Sequence, residues 1–147
     1  MTQLSSAVAG SPVEVSATSR HQARVGQVIT AVVGLFLTFD TTVKLLGLPQ
    51  AVDATVQLGY AASAISAIGL IQAFCLVLYL TPRTSVLGAV LLTGYLGGAV
   101  ASQLRAGNEL FGYVLFPIYV GVLMWGALFL RDARVRALLP LTRSQPA

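Results

Sequence analysis

The chain has 147 residues, 56% hydrophobic and only 10% charged, with a mean hydropathy of +0.80 and a formal net charge of +4. Such a composition lacks the polar surface of a soluble domain, names lipid as the solvent, and leaves almost nothing over for a soluble catalytic domain. The arginines flank apolar runs, so the positive balance reads as membrane topology and not as nucleic-acid binding, and a lone cysteine, Cys75, excludes an intramolecular disulfide, a CxxC redox pair and a cysteine zinc cluster.

Residues 1–24 are rich in Ser, Ala, Val and Thr without a helical stripe and are expected to form a mobile tail. Arg20 and Arg24 before an apolar run are also how a secretory signal peptide begins, but the charges past Phe39 and a poor cleavage sequence at 49–54 weigh against it. The first span is expected over about 25–46, closed by Gly47 and Pro49, which free the backbone and remove a donor. The stretch 50–58 has Ala51, Val52, Thr55 and Val56 at helical spacing and reads equally as a short interfacial helix or an irregular loop. Spans two and three, about 61–80 and 85–104, are separated only by the turn at Thr81, Pro82 and Arg83, so they must be antiparallel neighbours. After a link through Gly107 and Asn108, span four covers about 110–130, and 131–147 is a basic tail.

The runs 54–82, 84–104 and 110–130 contain no charged residue, and a helix needs about 20 apolar residues to cross a bilayer. The predicted fold is therefore all-α, a four-transmembrane-helix antiparallel bundle over 25–130. Arg20, Arg24, Arg83, Arg131, Arg134, Arg136 and Arg143 fall on one side of it and only Lys44 and Arg105 on the other. That asymmetry places both termini in the cytoplasm.

Asp40 and Lys44 are the two charges inside the first span, one helical turn apart with the acid first, the better order for pairing. Counting from Arg24 at 1.5 Å per residue puts Asp40 roughly 24 Å across, in the outer third of the bilayer. Lys44 can snorkel outward, whereas Asp40 is too short and should face the interior. The pair reads either as a helix-end ion pair that locks packing or as part of a polar pocket. The outer span ends also hold Asp53, Gln57, Gln103, Arg105, Asn108 and Glu109, and such a set above an apolar bundle is how a site for an amphipathic small molecule is built. The candidate ligand site is accordingly Asp40, Lys44, Gln103, Arg105 and Glu109, with Asp40, Lys44 and Arg105 expected to act as one unit presenting a donor to a ligand carbonyl.

Gly94, Gly97, Gly98 and Ala101 form a small-residue face on span three, which is expected to let helices approach closely, within the chain or between protomers. Gln72, midway along span two, is expected to hydrogen-bond across a helix interface. Tyr60, Tyr79, Tyr113 and Trp125 suit interfacial anchoring. The only histidine, His21, lies in the tail, and no phosphate loop, metal-ligand spacing or nucleophile elbow is present.

The segment PRTSVLGAVLLTGYLGGAVASQLRAG at 82–107 resembles the DoxX-like family of small membrane proteins, and TFDTTVKLLGLP at 38–49, VQLGY at 56–60 and the basic RDARVRALLP at 131–140 are similar to its other signatures. The resemblance implies a four-helix bundle in a bacterial inner membrane and an association with quinone-linked oxidoreductases. It also implies a histidine about where Gln103 stands, and the glutamine counts against proton transfer there. Three functions follow: a quinone-linked redox protein or accessory subunit with quinone as its cofactor, a non-catalytic anchor or assembly partner of a membrane oxidoreductase, or a small proton-linked transporter using Asp40. A homo-oligomer is compatible with each, and no metal is expected.

Overall fold

The computed structural model describes residues 12–138. The first eleven residues of the expected tail, and Arg143 with the end of the basic tail, lie outside them. The described residues form helices α1 (Pro12–Leu45), α2 (Pro49–Gln57), α3 (Ala64–Leu80), α4 (Ser85–Arg105), a π-helical turn (Leu110–Val114), α5 (Phe116–Arg131) and α6 (Ala133–Leu138). The first helix starts well before residue 25, in the stretch that the sequence reads as tail. A proline is tolerated in a first helical turn, where its missing N–H has no partner to lose, and no glycine or proline interrupts the chain between Val13 and Val25.

Each of α1, α3, α4 and α5 packs on two of the others, α1 on α3 and α5, and α4 on α3 and α5. Leu37, Tyr79, Leu92, Met124 and Leu128 fill the centre and are essentially inaccessible. Outward, large apolar side chains stay uncovered, among them Leu35 at 74% and Phe111 at 70% exposure. A soluble monomer seldom leaves so much apolar surface in contiguous array. Arg20–Leu45, Ser85–Arg105 and Leu110–Arg131 are long and apolar enough to cross a bilayer, while Ala64–Leu80 is an apolar helix of 17 residues. The protein is a multi-pass membrane protein.

Local chemistry explains the breaks. Gly47 closes α1 at φ 61°, a left-handed conformation that suits glycine, and the Leu48 N–H returns to the Val43 carbonyl at 3.2 Å. Pro49 then opens α2, so the stretch left between helix and loop is a helix. Pro117 lacks the N–H that would continue an α-helical ladder, and the register before it slips, with Val114 and Leu115 bonding five residues back to Glu109 and Leu110. The stretch expected as a fourth span is thus a π turn followed by α5 and not one even helix. Threonines inside the spans satisfy their hydroxyls on their own helix, Thr30 to Gly26 at 2.8 Å and Thr38 to Gly34 at 2.7 Å. Thr41 alone among the described residues has a buried side-chain oxygen without a partner.

Among the described residues, close helix contact within the chain does not occur at the small-residue face, which leaves contact between protomers as the other alternative. A Cβ added at Gly94, Gly97 or Gly98 would meet nothing within 4 Å, and these glycines and Ala101 are exposed. The close approaches are at Gly88, where a Cβ would lie 2.1 Å from the Tyr79 backbone nitrogen, and at Gly26, 2.8 Å from the Ala127 carbonyl oxygen. The expected anchoring role of two aromatics is likewise corrected. Tyr79 is fully buried, and the Trp125 indole N–H donates to Thr93 at 2.9 Å instead of meeting a head group.

Candidate functional site

Asp40 and Lys44 sit one turn apart near the end of α1 and form the only ion pair among the described residues. They are not alone. The Lys44 ammonium also donates to the Gln72 side-chain carbonyl at 2.9 Å and to the Tyr95 hydroxyl at 3.1 Å. Gln72 donates through Nε2 to Asp40 Oδ2 at 2.8 Å, and Tyr95 donates to Gln72 Oε1 at 2.8 Å. Three helices thereby tie their polar groups into one closed network. Gln72 is completely buried, and it can be so because its carbonyl takes two donors and its amide reaches a carboxylate. An ammonium has three N–H groups, and here Asp40, Gln72 and Tyr95 take all three. Lys44 therefore serves as the hub of the network and not as a donor to a ligand.

Above this network lies a cavity of about 470 Å³ with Asp40 and Lys44 in its wall. Helix α4 contributes Gly94, Tyr95, Gly98, Ser102 and Gln103, and α2 closes another side with Ala51, Ala54 and Thr55, followed by its capping residue Leu58. Gly94 and Gly98 leave open space that side chains would fill, so these two glycines of the small-residue face border the cavity and meet no other helix of the chain. Ile71, Gly94 and Gly98 are exposed, so the cavity opens through the side of the bundle between α3 and α4. Its walls are chiefly aliphatic, with a few polar groups from α1, α2 and α4 among them, the usual construction of a small-molecule site.

The sequence-predicted residues divide into two groups. Asp40, Lys44 and Gln103 line the same cavity. Arg105 does not join them: its guanidinium donates to the Leu58 carbonyl at 2.6 Å and lies 5.7 Å from the Tyr60 ring centroid. The expected Asp40–Lys44–Arg105 unit is therefore absent among the described contacts, because Arg105 is spent on the last carbonyls of α2. Tyr60 completes that closure with a hydroxyl contact to Ser102 at 2.6 Å. Glu109 is exposed, stands ahead of the π turn, and its backbone carbonyl accepts from Tyr113 and Val114. Gln103 accepts from the Asn108 amide at 2.5 Å.

Two members of the network were absent from the predicted site. Gln72 reads from sequence as an interhelical hydrogen-bonding group, which it is, but its link to the ion pair depends on how α1 and α3 are rotated. Tyr95 carried a usable signal. It stands midway along α4, about 15 Å from either end, where no head group can reach a hydroxyl.

Comparison with curated proteins and with solved structures gave no match. The family model described as the DoxX-like family matches residues 28–127, a span that holds Asp40, Lys44, Gln72 and Tyr95 together with the cavity walls. The chain belongs to the DoxX-like family.

Proposed function

We propose that the chain is a four-span antiparallel bundle of a bacterial inner membrane, both termini cytoplasmic, that binds the head of a quinone-type amphiphile and serves a membrane oxidoreductase as a quinone-linked redox protein or accessory subunit. One observation carries this reading: a cavity of about 470 Å³ borders lipid through exposed Gly94 and Gly98 and ends on the Asp40–Lys44–Gln72–Tyr95 network. An apolar tail can remain in the bilayer while a polar head enters sideways, and the Asp40–Lys44 pair offers that head a fixed polar partner. The α3 helix is short for a span at 17 residues, and α2 with the turn through Tyr60 lies at its outer end.

The orientation rests on the arginines. Among the described residues Arg20, Arg24, Arg83, Arg131, Arg134 and Arg136 fall at the end opposite Lys44 and Arg105. The protein purified in mild detergent, with mass spectrometry of small molecules that travel with it, tests the reading. A prenylated quinone or similar amphiphile bound in stoichiometric amount supports it. A stable protein partner with no such molecule favours a second reading, that of an anchoring or assembly subunit. One observation favours that alternative: Gly94, Gly97, Gly98 and Ala101 present an exposed small-residue face to which a partner helix or a second copy could pack.

A further inference from the structure

We infer that the cavity selects a neutral head group that donates hydrogen bonds, an alcohol or a phenol such as the reduced form of a quinone, over one that only accepts them. The inference rests on the reading of the cavity as a binding site and adds the chemical sense of its selectivity. It follows from where each wall proton goes. All three protons of the Lys44 ammonium are committed to Asp40, Gln72 and Tyr95. The Tyr95 proton goes to Gln72 Oε1 at 2.8 Å. Thr55 gives its proton to the Ala51 carbonyl at 2.7 Å, and Ser102 to the Gly98 carbonyl at 2.8 Å. Because the single Ser102 proton is used, Tyr60 must be the donor in its 2.6 Å contact with Ser102.

What faces the cavity is therefore almost all acceptor. Asp40 engages Lys44 and Gln72 through Oδ2, and its Oδ1 has no protein partner among the described residues. A carboxylate oxygen left with both lone pairs is the strongest acceptor in the wall, because hydrogen bonds to a charged group are the shorter and stronger ones. The hydroxyl oxygens of Tyr95, Thr55 and Ser102 add lone pairs but no protons. The amide Nε2 of Gln103, whose oxygen is taken by Asn108, is the one donor that remains in the wall. A carbonyl or ether head entering to the depth of Asp40 would face lone pairs with lone pairs and strip water from the carboxylate without replacing it. A hydroxyl would restore that bond. Asp40 is already neutralised by Lys44, so the head need bring no charge into the membrane.

The test uses the full-length protein in lipid nanodiscs and a matched pair of probes, 4-dodecylphenol and its methyl ether, each measured as binding in excess of protein-free discs. The pair shares tail and ring and differs in one donor. The phenol should bind about tenfold or more tightly than the ether, the loss expected when a charged, half-buried acceptor is stripped of water and left unpaired. In Asp40→Asn the ratio should fall toward one. Equal binding of both probes to the native protein overturns the donor selectivity while leaving the cavity as a binding site, and no excess binding of either overturns the site itself. Dodecylammonium binding more tightly than the phenol would overturn the assignment of a neutral head. A ratio unchanged in Asp40→Asn would show that another group sets the preference and overturn the role of the carboxylate. Should that variant fail to assemble, the probe pair on the native protein still decides.

Discussion

Replacing Gln72 with leucine removes a side chain that, like Lys44, touches every other member of the network. Leucine preserves most of the volume and leaves three bonds unmade: Gln72 to Asp40 at 2.8 Å, Lys44 to Gln72 at 2.9 Å and Tyr95 to Gln72 at 2.8 Å. Interhelical hydrogen bonds in membranes average about 0.6 kcal/mol and reach about 1.7. Three of them, two with charged partners, give a loss of roughly 2 to 5 kcal/mol. Tyr95→Phe removes the hydroxyl contacts to Lys44 and Gln72 and should cost about 1 to 3 kcal/mol. The two variants share the Tyr95–Gln72 bond, so the double variant should lose less than the sum. Reversible unfolding in mixed micelles, followed by helical circular dichroism, measures all three. Stability of Gln72→Leu within about 0.5 kcal/mol of the native protein, or strict additivity in the cycle, would show that the network does not hold the helices together.

Other outcomes follow from single contacts. Gly88→Ala places a methyl 2.1 Å from the Tyr79 backbone and should destabilise strongly, by about 2 kcal/mol or more, whereas Gly98→Ala meets open space and should be within about 0.5 kcal/mol of native in the same unfolding assay. Arg105→Ala releases the Leu58 carbonyl and the Tyr60 ring, so amide exchange should quicken in α2 and the turn after it while α4 and α5 keep their protection. Reporter fusions after His21 and after Arg143 should both read cytoplasm and one at Asn108 the outside, and an outside C-terminus would refute the orientation.

The apolar runs, the breaks at Gly47–Pro49 and Pro82, and the paired charges of α1 were legible because each is a local property of the chain. Hydropathy gives helices and proline gives their ends. What sequence could not supply was the rotation of one helix about its axis against the next. The glycines of α4 show the cost of that gap: GxxxG spacing argues for contact, and a leucine at Gly98 is then expected to force helices apart. In the structure the same glycines border open space, and the contact falls instead at Gly26 and Gly88. Arg105 was misassigned for a related reason. It does end α4, but a carbonyl exposed at the end of a helix that sequence left undecided competes for the guanidinium. Gln72 and Tyr95 joined the site through long-range packing, across sequence separations no local pattern encodes. The Pro117 break was readable in principle, since a proline inside a helical run loses a ladder bond, yet the π turn that absorbs it depends on how Glu109 and Leu110 re-pair.

Filling the cavity tests the central claim most directly. Gly98→Leu projects a side chain into open space bordering the cavity, and Gly126→Leu adds the same side chain to an exposed glycine of α5 that has equally open space and borders no described cavity. Both variants should remain as stable as the native protein. Titration of each in nanodiscs with a decyl-tailed hydroquinone should then show binding lost by tenfold or more in Gly98→Leu and kept in Gly126→Leu. Undiminished binding in a folded Gly98→Leu variant would contradict the placement of the ligand site between α3 and α4.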